Sequence, residues 1–289
     1  FEWCASWTDW PQPRQGRFDK LCRVCHYTPL RGAFKFGHGW LQGPGLLHAH
    51  RLRIPGVKRP PFIFGTQYYR PPFPKAAYWE DDMRAIRDAG LNTVQAWLVW
   101  GWCEPEPGRF VFDDFDRLAD LAEKHGLGLV LSTLPEINPF WMPRVHPDGV
   151  MVDIEVRPVP SGNRTECISG LVPGCCSDNP AVRERMVTFL KRCAEHFSGR
   201  GNLLAWDVWN ENRWRNTAPE IVCFCEHSLM SQRRFLSEKY GSLEGLGEAW
   251  GRRLCAWEDV RFSRMLSNSY PEMHDLTLWM CRRAAEMAQ

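Results

Sequence analysis

The sequence predicts an α/β chain that forms the first half of a (β/α)8 TIM barrel. Three observations predict it. Short apolar runs alternate four times with stretches whose apolar residues recur at helical spacing, the pattern of a parallel sheet covered by helices. No GxGxxG follows the first apolar run, so a dinucleotide-binding doubly wound sheet has no support. Polar and aromatic residues crowd the C-terminal ends of the apolar runs, the face at which a barrel builds its site. A complete barrel takes about 250 residues, and four strand–helix units make roughly half of one.

The elements follow in order. "FIFGTQYY" (62–69) reads as the first strand. Trp79, Met83 and Ile86 then recur at helical spacing, and Gly90 supplies a C-terminal cap. "TVQAWLVW" (93–100) is the second strand, followed by a stripe of Phe115, Leu118, Ala119 and Ala122 that Gly126 closes. "LGLVLSTL" (127–134) is the third strand, and a long loop runs from it to about 178. Val182, Met186, Phe189, Leu190 and Cys193 mark a third helix, with Asp178 as its expected cap. "LLAWDVW" (203–209) is the fourth strand. Helical patterns fill about 228–240, 243–251 and 272–288. Residues 1–60 are rich in Gly, Pro, Trp, Arg and Cys without periodicity. They are expected to be a leader outside the fold, and 61–289 the N-terminal part of the barrel. Both ends look cut, so the chain is read as a fragment.

Composition bounds the function. The 289 residues carry a net charge of +2, which argues for neither a nucleic acid partner nor a membrane surface. No apolar run reaches the roughly 20 residues a bilayer-spanning helix needs. The 12 cysteines are not spaced like a secreted disulfide scaffold, so a reduced, cytoplasmic protein is expected. Fifteen Trp suit clefts for flat, partly apolar ligands such as sugars, although most Trp fill cores.

The fourth strand ends in Asn210-Glu211. A carboxylate at a barrel mouth serves as a general acid when burial or a neighbouring charge raises its pKa. Glycosidic cleavage needs that acid and a second carboxylate, about 5–5.5 Å away in retaining enzymes. The neighbouring amide suits a sugar hydroxyl. The plainer role for Glu211 is a helix cap or a salt bridge.

From about residue 62 to 260 the chain resembles glycoside hydrolase family 42, the β-galactosidase family within the clan of retaining (β/α)8 glycosidases. The matching stretches are "YWEDDMRAIRDAGLNTVQAWLVWGWCEPEPGRFVFDDFDRLADLAEKHGLGLVLST", "WDVWNE" and "CFCEHSLMSQRRFLSEKYGSLEGLGEAWG". The resemblance implies that Glu211 is the acid/base and that Asn210 contacts the sugar. It implies a Glu nucleophile on strand seven, outside this chain, so the fragment alone is expected to be inactive. No cofactor enters the chemistry. An oligo- or disaccharide is the expected partner, and a homo-oligomer is implied for the longer protein. One departure concerns galactose. The family's galactose-binding Arg, four residues before a loop Cys, aligns with Val172, which leaves room for a different β-glycoside. A catalytically inactive carbohydrate-binding or interaction protein is the rival from another class.

The resemblance also implies a structural zinc in some members. Cys176, Cys223 and Cys225 match three of its ligands, and the fourth family Cys is Ser228. His227, one residue away, is the expected replacement, since three thiolates and an imidazole make a sound tetrahedral site. The plainer alternative is three reduced cysteines. Near the strand ends, Trp97 and Trp141 are candidates to stack on sugar, and Arg70 to bind a hydroxyl or carboxylate. Each has a bland alternative: packing for the Trp residues, a surface salt bridge for Arg70.

Overall fold

The computed structural model describes residues 62–164, 167–209, 223–262 and 270–287. The expected leader falls outside the described residues, as do Asn210 and Glu211. Four strands, β1 (Gly65–Tyr69), β2 (Thr93–Val99), β3 (Gly128–Leu134) and, after a hairpin, β6 (Leu203–Asp207), form one sheet in the order β1-β2-β3-β6. Every pairing in that sheet is parallel, as the alternating pattern predicts. Helices α1 (Trp79–Asp88), α2 (Asp113–Lys124) and α3 (Pro180–Phe197) cover one face of it. The sequence boundaries hold to within a few residues. Gly90 and Gly126 adopt φ of +85° and +68°, the left-handed conformation in which Gly ends a helix without steric strain.

The two faces of the sheet read directly from the period of two. Val94, Ala96 and Leu98 of β2 and Leu129 and Leu131 of β3 join the helix-side core. There they meet Met83 of α1, Phe115, Leu118 and Ala122 of α2, and Met186, Phe189 and Cys193 of α3. Each fully buried Leu or Phe contributes about 1.5–3 kcal/mol. The opposite face is the barrel lumen. Gln95 Nε2 donates to Ser132 Oγ across it at 2.6 Å. Nearer the C-terminal ends, Trp97, Val99 and Leu134 pack with Ile137 and Val172 into a small apolar floor. The C-terminal part of this face is buried here by Ile137 and Val172, from the stretch after β3.

Two features depart from the sequence reading. The stretch from 135 to 178 is not plain loop. It carries an antiparallel hairpin, β4 (Gly162–Arg164) and β5 (Cys167–Val172). Asn138 fastens the start of this stretch: its Nδ2 donates to the Pro135 carbonyl and its Oδ1 accepts from Cys175 N at 2.6 Å. The hairpin strands are short and interrupted by Gly, so they carry little alternation for the sequence to show. The cap of α3 is also different. Asn179, not Asp178, accepts from the N–H groups of Ala181 and Val182. Pro180 at the first helical position fixes the cap at the residue before it.

Glu104, in the motif that carries much of the resemblance, is structural. It is buried, accepts from Trp100 Nε1 at 2.6 Å and from Gly108 N at 2.8 Å, and so closes the loop after β2. Gly108 sits at φ +82°, which explains its place in the motif.

After β6 the chain builds a second helical cluster: α4 (Glu226–Tyr240), α5 (Leu243–Trp250) and α6 (Tyr270–Met287). Its core is Leu229, Leu236, Leu246, Trp250, Leu276 and Trp279. Buried Asp275 of α6 binds all three helices together, accepting from Lys239, Tyr240 and Trp250. No helix among the described residues is long and apolar enough to cross a membrane.

Candidate active site

The parallel sheet sends the C-terminal ends of β1, β2, β3 and β6 to one rim. The residues found there are Arg70, Trp97, Glu136 and Trp209. Arg70 follows β1, and its guanidinium carbon stands 5.1 Å from the Trp97 ring centroid, in cation–π range. Trp97 is 5% exposed and belongs to the apolar floor. It is therefore the platform under Arg70, and the expected open stacking face is covered. Glu136, two residues past β3, was missed in the sequence reading. Burial pushes its carboxyl up to about 7, against the nearby Trp209 indole and the positive charge of Arg70, which pull it down. The rule that singled out Asn210-Glu211, a carboxylate just beyond a barrel strand, would have found Glu136 too.

Trp141 is placed elsewhere. It is buried in the helix-side core, and its Nε1 donates to the Glu104 carbonyl at 2.9 Å. Its ring is only 5% exposed, so packing replaces the expected sugar contact. Val172 is buried in the apolar floor beside Trp97 and carries no charge into the rim. Asn210 and Glu211, the pair expected to be catalytic, lie outside the described residues, immediately after Trp209 in the chain.

A second cluster joins the loop before α3 to the start of α4. The sulfurs of Cys176, Cys223 and Cys225 all fall within 4.8 Å of one another and are buried. The expected fourth member does not join them. His227 turns toward Asp148, 3.9 Å away, because it sits on the first turn of α4 one residue off the inward face. Ser228 takes the inward position. Its Oγ lies 3.2 Å from Cys176 Sγ and 3.5 Å from Cys225 Sγ. Ser228 Oγ also donates to Asp178 Oδ2 at 2.7 Å. Asp178 in turn accepts from the buried Arg283 of α6, whose guanidinium lies 4.2 Å from the Trp279 ring centroid. Hydrogen bonds from Cys176 and Cys223 hold the Cys225 thiol far below its usual range. Three sulfurs at this spacing fit three corners of a tetrahedral thiolate site, and the fourth corner faces a hydroxyl. Cys103 and Cys175, also free and buried, are not part of the group. Arg283 had no signal in the sequence: a lone Arg on an amphipathic helix reads as solvent-facing.

Comparison with known proteins assigns this architecture. The family profile of glycoside hydrolase 42, described as beta-galactosidase, matches residues 68–278. Beta-galactosidase BbgII of Bifidobacterium bifidum is 26% identical over 208 residues, covering 72% of this chain and 28% of that protein. Beta-galactosidase BgaA of a Thermus species is 31% identical over 190 residues, covering 65% of this chain and 28% of that protein. Among solved structures, a beta-galactosidase from Bacillus circulans superposes with a TM-score of 0.64 at 23% identity, covering 79% of this chain and 34% of that one. One from Halorubrum lacusprofundi gives 0.61 at 24% identity, over 78% of this chain and 32% of that one. These superpositions establish the fold as a partial (β/α)8 barrel. The chain spans under a third of the length of the two curated relatives. The chain belongs to glycoside hydrolase family 42.

Proposed function

We propose that the full-length protein carrying this chain is a retaining glycoside hydrolase that cleaves terminal β-galactosides or related β-glycosides. The observation that carries this reading is Asn210-Glu211 directly after the fourth parallel strand of a family 42 barrel. Glu211 protonates the leaving oxygen and then removes a proton from the attacking water. A second carboxylate, supplied from outside this chain, forms the glycosyl-enzyme. Asn210 holds a sugar hydroxyl through its amide. The buried, uncharged Val172 favours a sibling specificity as the second reading, because the rim lacks a cation at that position. A panel of 4-nitrophenyl β-glycosides tests both with the full-length protein. Release from the galactoside supports the first reading, and release only from another β-glycoside supports the second. Release from none removes the hydrolase reading.

We further propose that Cys176, Cys223 and Cys225 hold a structural zinc, with Ser228 beside its fourth corner. Bound there, zinc supplies a cross-link between the loop before α3 and the start of α4, and no chemistry. Elemental analysis of the purified protein should find about one zinc per chain, lost in Cys223→Ser. A metal-free wild type would remove the zinc. The three buried thiols lie unbridged, which suits a reducing, cytoplasmic setting.

A further inference from the structure

The sulfur cluster is completed by an oxygen. Ser228 Oγ is fully buried and stands 3.2 Å from Cys176 Sγ and 3.5 Å from Cys225 Sγ. Those separations are the ones a metal site needs. With Zn–S about 2.3 Å and Zn–O about 2.0–2.1 Å, a tetrahedron sets a sulfur and an oxygen corner about 3.5 Å apart. The oxygen therefore lies at ligand spacing from two of the three sulfurs. No other donor competes for that corner: among the described residues, no His, Asp or Glu joins the three sulfurs within 4.8 Å of one another. His227 is turned toward Asp148.

The hydroxyl is also oriented. A serine oxygen has one proton to give and two lone pairs. The proton goes to Asp178 Oδ2 at 2.7 Å. One lone pair takes an N–H of Arg283 Nη2 at 3.2 Å. The same Nη2 donates to Asp178, so a buried ion pair grips the hydroxyl from two sides. The second lone pair is left for the side on which the sulfurs stand. The clamp also explains why an alcohol suits this position. A thiolate here would face the Asp178 carboxylate, a like-charge contact away from water. A neutral hydroxyl donates to that carboxylate instead.

We propose that Ser228 is the fourth metal ligand of this site, bound through its neutral hydroxyl, with Asp178 and Arg283 as the residues that position it. This inference rests on the zinc reading and names the ligand that completes the site. The site is then three sulfurs and one oxygen, held in place by α6 through Arg283.

The test uses the full-length protein loaded with zinc. X-ray absorption at the zinc edge counts the ligands, and competition with a chromophoric chelator measures affinity. Wild type should show three sulfurs and one oxygen. Ser228→Ala should weaken zinc binding by about 10- to 100-fold, at least the cost of disturbing a group that only orients a metal ligand. Ser228→Cys should convert the shell to four sulfurs, because the side chain at this position already reaches the corner. Four sulfurs in wild type would overturn the proposal, since another thiol would then hold the corner. Unchanged affinity in Ser228→Ala would overturn it too, with a water as the ligand in both proteins. So would an oxygen retained in Ser228→Cys. Each of these three results leaves the zinc reading standing. A wild type that takes up no zinc from an excess overturns both. If Ser228→Ala does not fold, the wild-type shell and Ser228→Cys decide the question.

Discussion

Glu211→Gln in the full-length protein is expected to cut hydrolysis of a β-glycoside with a poor leaving group by about 10²- to 10⁴-fold, the usual contribution of a positioned general acid. Gln keeps the volume of Glu and removes the transferable proton. The loss should shrink for a leaving group such as dinitrophenolate, which departs without protonation. Steady-state kinetics on two glycosides that differ only in leaving group would check this. Equal losses on both would mean that Glu211 acts in binding and not as the acid. The prediction rests on chemistry at the end of the fourth strand, where the proposed general acid and the proposed sugar-binding amide are adjacent in sequence.

Arg283→Met is expected to destabilise the fold by about 3–5 kcal/mol. The guanidinium is 1% exposed and its partner Asp178 is 7% exposed. Burial already lowers the pKa of Arg283, and the Asp178 charge opposes that shift. Removing the cation leaves Asp178 buried with, among the described residues, Ser228 and the more distant Arg183, 3.9 Å away. Met keeps most of the volume above Trp279, so the loss reports the charge and not a cavity. Adding Asp178→Asn should restore much of the stability, because the uncompensated charge is then gone as well. Denaturant unfolding of the two single variants and the double checks this. A loss below about 1 kcal/mol in Arg283→Met would place the pair with ordinary surface ion pairs. The same contact ties α6 to the loop before α3, so it links the second helical cluster to the barrel half.

The sheet was legible because its strands are continuous apolar runs and its helices carry clean stripes. Val94, Ala96 and Leu98 on one side of β2, and Trp97 and Val99 on the other, follow the pleat that the sequence implies. Asn210-Glu211 stood out by the same logic of strand ends. The hairpin was not legible, since Gly162 to Val172 has too few alternating residues to declare a face. Packing partners were legible least. Trp141 lies near a strand end in sequence, yet its ring turns into the helix layer and its N–H is used by Glu104. His227 and Ser228 differ by one position on a helix, a rotation of about 100°, and only the contact with α6 settles which faces the sulfurs. Glu136 carried the same signal as Glu211, a carboxylate just past a strand end, inside a stretch that reads as loop.

The central claim is that Glu211 is the acid/base of a retaining glycosidase. It is tested most directly by following the anomeric proton during hydrolysis of a β-glycoside, with wild type and with Glu211→Ala plus azide. The account predicts that the β-anomer of the sugar appears first with wild type, and that the variant forms the β-glycosyl azide as the small anion enters the vacated space. An α-anomer as first product, or a variant that hydrolyses as fast as wild type, would contradict it.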